Sequence, residues 1–124
     1  MTLSPCKNRR AGGTDRGRDV GDGAVRAWYN ENDPYPAQWL RNLVVAGYIA
    51  AGEVDERSIA EVRSSEIPEG QAHFFAGIGG WSYALRLAGW ADDRPVWTGS
   101  CPCQSFSAAG KGAGFDDPRH LWPH

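Results

Sequence analysis

Short apolar runs in this chain are closed by turn residues and followed by a helical rhythm, and this happens twice. Ala24–Tyr29 (AVRAWY) has strand character and is broken by Asn30-Glu31-Asn32-Asp33-Pro34. Asp33 suits a helix N-cap, with Pro34 in the first helical position. Trp39, Leu40, Leu43 and Val44 then recur at helical spacing, and Gly47 suits the helix end. Glu53–Ile59 reads as a second short strand, followed by a loop over Ser64–Gly70. Downstream, Ala72–Phe75 reads as a strand and Gly77-Ile78-Gly79-Gly80 as a turn. Trp81–Leu87 reads as a helix closed by Gly89, and Pro95–Thr98 as another strand. Gly99–Gly114 reads as a long Gly/Ser/Ala loop, and His120–Trp122 as the start of a further helix. Strand, helix and strand in this order predict an α/β fold on a parallel sheet.

Met1–Gly23 stands apart. It is polar, glycine-rich and nearly free of apolar residues, so it has little to bury and reads as a disordered leader, or else as a DNA-tethering arm. Residues 24–124 then form one folded unit. The 13 Lys and Arg against 15 Asp and Glu give a net charge of −2, which excludes a uniformly basic nucleic-acid coat. No apolar run is long enough to span a membrane and no signal peptide leads the chain, so no membrane partner is expected. Three cysteines, two of them in Cys101-Pro102-Cys103, argue against a disulfide framework and for a reduced, cytoplasmic protein.

Two loops carry chemistry. Phe75-Ala76-Gly77-Ile78-Gly79-Gly80 joins a strand to a helix, where glycines allow close approach to a ligand. The helix start adds free N–H groups. A dinucleotide fingerprint needs a third glycine at position 82, where Ser82 stands. The F-x-G-x-G spacing suits an S-adenosylmethionine loop better, and a purely structural turn is the other reading. Pro102-Cys103-Gln104-Ser105-Phe106-Ser107 follows the last strand, and the carboxyl ends of strands are where α/β enzymes keep their chemistry. A cysteine there is either a nucleophile or an inert small hydrophobe. Zinc would need further thiolate or imidazole ligands beside the C-x-C, so no metal is expected.

Together these loops resemble the cytosine-5 DNA methyltransferases. His73-Phe74-Phe75-Ala76-Gly77-Ile78-Gly79-Gly80 resembles the family's D-L-F-A-G-x-G-G cofactor loop, with His73 in place of Asp. Pro102-Cys103-Gln104-Ser105-Phe106-Ser107, then Gly110-Lys111, Gly114-Phe115, Asp117 and Arg119, resembles its catalytic loop, with Ser105 where Pro is common. In the family, a ribose-binding Asn-Glu-x-Asp segment and an adenine-binding Gly-Asp-Ile segment lie between those loops. Here Asn30-Glu31-Asn32-Asp33 and Gly52-Glu53-Val54 resemble them, but both lie upstream. The resemblance therefore implies a rearranged order, with accidental short matches as the alternative.

The implied fold is part of an S-adenosylmethionine-dependent, Rossmann-like methyltransferase sheet, incomplete at its C-terminal side. The implied reaction is methyl transfer from S-adenosylmethionine to carbon 5 of cytosine in DNA, with Cys103 as thiolate nucleophile. Phe75, Ala76, Gly77, Ile78 and Gly79 would line the cofactor. Glu31 would accept from the ribose hydroxyls, with Asn32 beside it. Glu53, or less favourably Asp55, would accept from the adenine amino group next to Val54. Gln104, Ser107, Lys111 and Arg119 would meet DNA. The family's later elements do not follow, so the chain is expected to be a truncated, weakly active enzyme needing a complementary C-terminal fragment. The alternative is a non-catalytic remnant that binds S-adenosylmethionine or DNA.

Overall fold

The computed structural model describes residues 26–102 and 114–116. The expected leader at 1–23, the expected catalytic-loop residues Cys103, Gln104, Ser107, Lys111 and Arg119, and the expected helix start at His120–Trp122 lie outside the described residues.

Four short strands form one sheet: β1 (Ala27–Asn30), β2 (Gly52–Asp55), β3 (Gln71–Phe74) and β4 (Val96–Gly99). Their lateral order is β2-β1-β3-β4 and every pairing is parallel. Helix α1 (Pro34–Val45) joins β1 to β2, and helix α2 (Gly80–Leu87) joins β3 to β4. The α/β class with a parallel sheet is as the alternation of elements requires.

Both helices end as their sequences specify. Asp33 caps α1 by accepting from the Tyr35 N–H at 2.9 Å, with Pro34 in the first turn. Gly47 and Gly89 follow the two helices at φ +75° and +76°. The next residues, Tyr48 and Trp90, donate back to Leu43 and Leu85. Those are the reverse bonds of a glycine-closed helix end.

The strands depart from expectation at their ends. β1 runs to Asn30 because the buried Asn30 side chain donates to the Arg57 carbonyl at 2.9 Å, fastening the strand end to the segment after β2. β2 stops at Asp55, whose carboxylate accepts from the backbone and side chain of Arg57 and turns the chain. Single 3-10 turns follow at Ile59–Glu61 and Ser64–Glu66, where sequence suggested the end of a strand and a plain loop. Gly52 begins β2 for a steric reason: a Cβ there would lie 1.9 Å from the Ala27 carbonyl oxygen.

Tyr29 and His73 are register partners, as are Tyr29 and Val54, and His73 and Thr98, so these side chains share one face of the sheet. Leu40 of α1 and Ile49 join Tyr29, Ala27, Ala50 and Ala76 in the buried core on that face. Trp39, assigned from its spacing to the apolar stripe, is instead about half exposed, and Leu40 carries the packing.

The connection through α2 lies over the same face. Ser82 Oγ meets Tyr29 Oη at 3.0 Å, and Gln71 donates to the Ala91 carbonyl beyond the helix. Yet β1 to β2 steps toward one sheet edge, and β3 to β4 toward the other. Two crossovers over one face in opposite directions have opposite hands, so one of them has the rare left hand.

Candidate functional site

The carboxyl ends of the strands bring three segments together: the turn after β1, the turn after β2 and the glycine loop after β3. Parallel pairing places all of these ends on one edge, where α/β folds bind ligands. The Ala76 N–H donates to the Asn30 carbonyl at 2.8 Å, which seats the glycine loop against the end of β1. Beside it, the Gly77 N–H donates to Glu31 Oε2 at 2.9 Å, and the Asp33 N–H donates to Glu31 Oε1 at 3.0 Å. Each carboxylate oxygen thus holds one backbone donor. A carboxylate has about four acceptor positions, so one remains on each oxygen, a pair suited to two adjacent hydroxyls.

The glycine loop has a strained start. Phe75 has φ +52°, and it is the one described non-glycine residue in the left-handed region. Consecutive strand residues ordinarily face opposite sides. The turn at Phe75 lets Phe74 and Phe75 line the same cleft, with Trp97, Ile59, Ile67 and Cys101, in a volume of about 420 Å³. Such strain of about 1–3 kcal/mol persists where the surroundings impose it, and it is concentrated at functional sites. Phe74 also packs edge-on against Trp28 and Trp97, with ring centroids 5.5 and 5.3 Å apart.

Gly79 is required twice over. It caps α2 at φ +82°, and a Cβ there would come within 3.2 Å of Leu40 and 3.4 Å of Ile49. The second loop glycine therefore lets α2 start directly against the core. A separate cleft of about 370 Å³ is walled by Phe75, Ala76, Gly77, Ile78, Trp81 and Ser100, between the glycine loop and the segment leading to Cys103.

Of the other expected cofactor residues, Asn32 and Ile78 are exposed, and Ala76 is buried in the core. Val54 is partly buried and packs against the core. Glu53 faces the opposite side with Trp28, exposed, and forms no hydrogen bond among the described residues. The acid that reaches the carboxyl edge is Asp55. Its carboxyl is held below the usual range, chiefly by the Arg57 guanidinium, which also bonds Glu66. Glu53 and Asp55 lie two apart and share a face of β2, so alternation does not separate them; Asp55 is set apart by its place at the strand end beside Arg57.

Sequence reasoning also missed the buried polar groups under the site. His73 is 1 % exposed and stacks on Tyr29 at 5.1 Å. Its Nε2 faces Gln71 Oε1 at 3.2 Å and its Nδ1 faces Thr98 Oγ1 at 2.7 Å. An amide oxygen only accepts, so Nε2 carries the proton and Thr98 donates to Nδ1. Burial pushes the His73 pKa down to about 4, in keeping with this neutral ring. Ser82, which fails the dinucleotide pattern, ties the helix to the core instead. Its Oγ accepts from the Ala50 N–H at 3.1 Å and meets Tyr29 Oη. Desolvation raises the Tyr29 pKa to about 12.

Among the described residues, no group of three His, Cys, Asp or Glu could hold a metal ion, and no helix is long and apolar enough to cross a membrane. No family model, curated protein or solved structure matches this chain.

Proposed function

We propose that this chain carries the cofactor edge and nucleophile loop of a DNA cytosine-5 methyltransferase, with S-adenosylmethionine as methyl donor. The observation that carries this reading is the Glu31–Gly77 hydrogen bond. Two segments that resemble separate parts of one cofactor site, 46 residues apart and in reversed chain order, meet at one sheet edge.

The residues fit the cofactor's chemistry. Among the described residues, Glu31 keeps two acceptor positions unused, which would suit a ribose diol. Gly77 and Gly80 bring backbone, free of side chains, to a carboxylate- and amine-bearing tail. Phe75 and Trp97 give aromatic walls to a cleft within the size range of small-molecule sites. Cys103 lies three residues after Ser100, and three residues of chain reach roughly 10 Å at most. Ser100 itself walls the cleft that Gly77 also lines.

Bound there, S-adenosylmethionine supplies an electrophilic methyl group. The Cys103 thiolate adds to carbon 6 of a cytosine turned out of the duplex, which places electron density on carbon 5. Carbon 5 would take the methyl group with release of S-adenosylhomocysteine, a base would remove the carbon 5 proton, and elimination would return the Cys103 thiolate. By the resemblance, Lys111 and Arg119 would meet phosphates, and Gln104 and Ser107 would contact DNA.

Titration calorimetry with S-adenosylmethionine tests the reading. The wild-type chain should bind, and Glu31→Ala should weaken binding at least about tenfold, as expected for lost hydrogen bonds to a charged group. Comparing Glu53→Gln with Asp55→Asn identifies the acid that meets the adenine. Absence of binding to the wild-type chain sinks the reading. If binding survives but tritium transfer to duplex DNA is nil, a non-catalytic binding module remains.

A further inference from the structure

The acid at the end of β2 is already engaged on both oxygens. Asp55 Oδ1 accepts from the Arg57 backbone N–H at 2.9 Å and from its Nε–H at 3.1 Å. Oδ2 accepts from the same Nε–H at 3.1 Å and from Nη2 at 2.7 Å. A carboxylate has about four acceptor positions, so Arg57 fills those of Asp55. The guanidinium then reaches onward. Its Nη1 donates to Glu66 Oε2 at 3.2 Å, which also receives the Arg63 N–H at 2.9 Å. The Arg57 carbonyl is held in turn by the buried Asn30 side chain.

Glu66 belongs to a strap of residues 58–67, which walls one side of the 420 Å³ cleft with Ile59, Val62, Ser64 and Ile67. Phe74, Phe75 and Trp97 wall the cleft from the sheet. The two walls are fastened differently. Phe74 and Trp97 sit in the β3–β4 ladder. The strap's backbone bonds only to itself: Glu61 to Ser58, Val62 to Ile59, Glu66 to Arg63 and Ile67 to Ser64. None of its residues is fully buried. Among the described residues, the Arg57–Glu66 pair is the one polar tie from the strap to the chain outside it. Neither Asp55 nor Arg57 walls the cleft.

Resting on the methyltransferase reading, we infer that Asp55 and Arg57 are positioning residues: Asp55 orients Arg57, Arg57 holds the strap through Glu66, and the strap sets how closely the cleft fits the cofactor's purine. Asp55 does not receive the purine's amino group. A guanidinium is a rigid plane that meets carboxylates at fixed angles. Two carboxylates bridged by one such plane therefore fix the distance of the strap from the strand end. The Arg57 and Glu66 side chains are both 44 % exposed, so salt screens this tie.

Titration calorimetry uses S-adenosylhomocysteine and its inosine analogue, in which a carbonyl replaces the amino group. Hydrogen exchange of the free chain, read by mass spectrometry, reports local opening of the strap. Arg57→Gln, Glu66→Gln and Asp55→Asn should each weaken binding about two- to fivefold, the scale of an exposed ion pair. Each should weaken both compounds by the same factor and speed exchange in residues 58–67, with the β1 and β3 peptides unchanged. Added salt should weaken binding to the wild-type chain more than binding to Arg57→Gln.

If Asp55 itself receives the amino group, Arg57→Gln frees it and the adenine compound binds as tightly or more so. Asp55→Asn then erases the preference between the two compounds. Either result overturns the inference and leaves the cofactor reading intact, as does strap exchange unchanged in Arg57→Gln. Faster exchange throughout the sheet, with a circular-dichroism melt shifted down, marks the network as merely structural and also overturns it. A wild-type chain that binds neither compound defeats the cofactor reading itself, and the inference with it.

Discussion

The two strand–helix–strand units solve the same problem by different means. In β1–α1–β2 the helix is held by apolar packing: Ala37 and Leu40 are fully buried, and Ile49 and Ala50 close the core beside them. In β3–α2–β4 the one buried helix residue is a serine. Ile78 and Leu87 around it are largely exposed, Trp81 and Tyr83 are about half exposed, and α2 is fastened by polar bonds. Ser82 bonds to Tyr29 and Ala50, Arg86 to the Gly47 carbonyl and Asp92, and Trp81 to Ser100. Apolar packing is indifferent to small shifts, whereas hydrogen bonds have a fixed length and direction. The first unit is thus a platform, and the second is a part whose placement depends on a few points next to the carboxyl edge of the sheet.

Leu40→Ala should destabilise the chain most, by about 3 kcal/mol, because it opens a cavity in the platform. Urea unfolding measures it, and a loss no larger than that of Ser82→Ala would break the contrast. Ser82→Ala should cost about 2 kcal/mol, since it leaves the Ala50 N–H buried without a partner. Its effect should exceed that of a surface serine change such as Ser65→Ala, read in the same assay.

The smallest effect is acid-dependent. His73 titrates near 4 when folded and near 6.5 when unfolded, so the unfolded chain binds the extra proton between those values. Stability from this residue is complete above pH 6.5 and falls as pH drops toward 4. Between pH 7 and 5 the loss should be about 1 kcal/mol after allowing for solvent screening. Urea midpoints at the two pH values read it, and His73→Gln should flatten the dependence.

Much of the fold was legible because its signals are local. Asp33 with Pro34, and Gly47 and Gly89, mark helix ends through bonds that reach only a few residues. Both glycine turns and the parallel class followed from the same kind of signal. Lateral strand order was not legible, since parallel pairing leaves no mark in neighbouring residues, and neither was the shared face of the two crossovers. At the candidate site, Glu31 and the glycine loop stand out as patterns, but their contact does not. Asp55 falls behind Glu53 in sequence because the strand end depends on Arg57, whose side chain closes the turn. Ser82 looks like a missing glycine because its partners, Tyr29 and Ala50, lie in the other unit.

The junction between the units has a consequence for how the chain reaches its final state. β1 and β2 are in register at four positions, as are β3 and β4, but β1 and β3 are in register at only two, Trp28 with Ala72 and Tyr29 with His73. Closing that pair means bringing together residues separated by the whole α1–β2 stretch, and loop closure of this kind is entropically costly. Sequence-local pairs form faster than distant ones. The central seam is therefore expected to join last, after each half has formed around its own helix. Glu31 lies on one side of that seam and Gly77 on the other. The contact between Glu31 and Gly77 has no precursor in either half; it comes into being in the final step of folding.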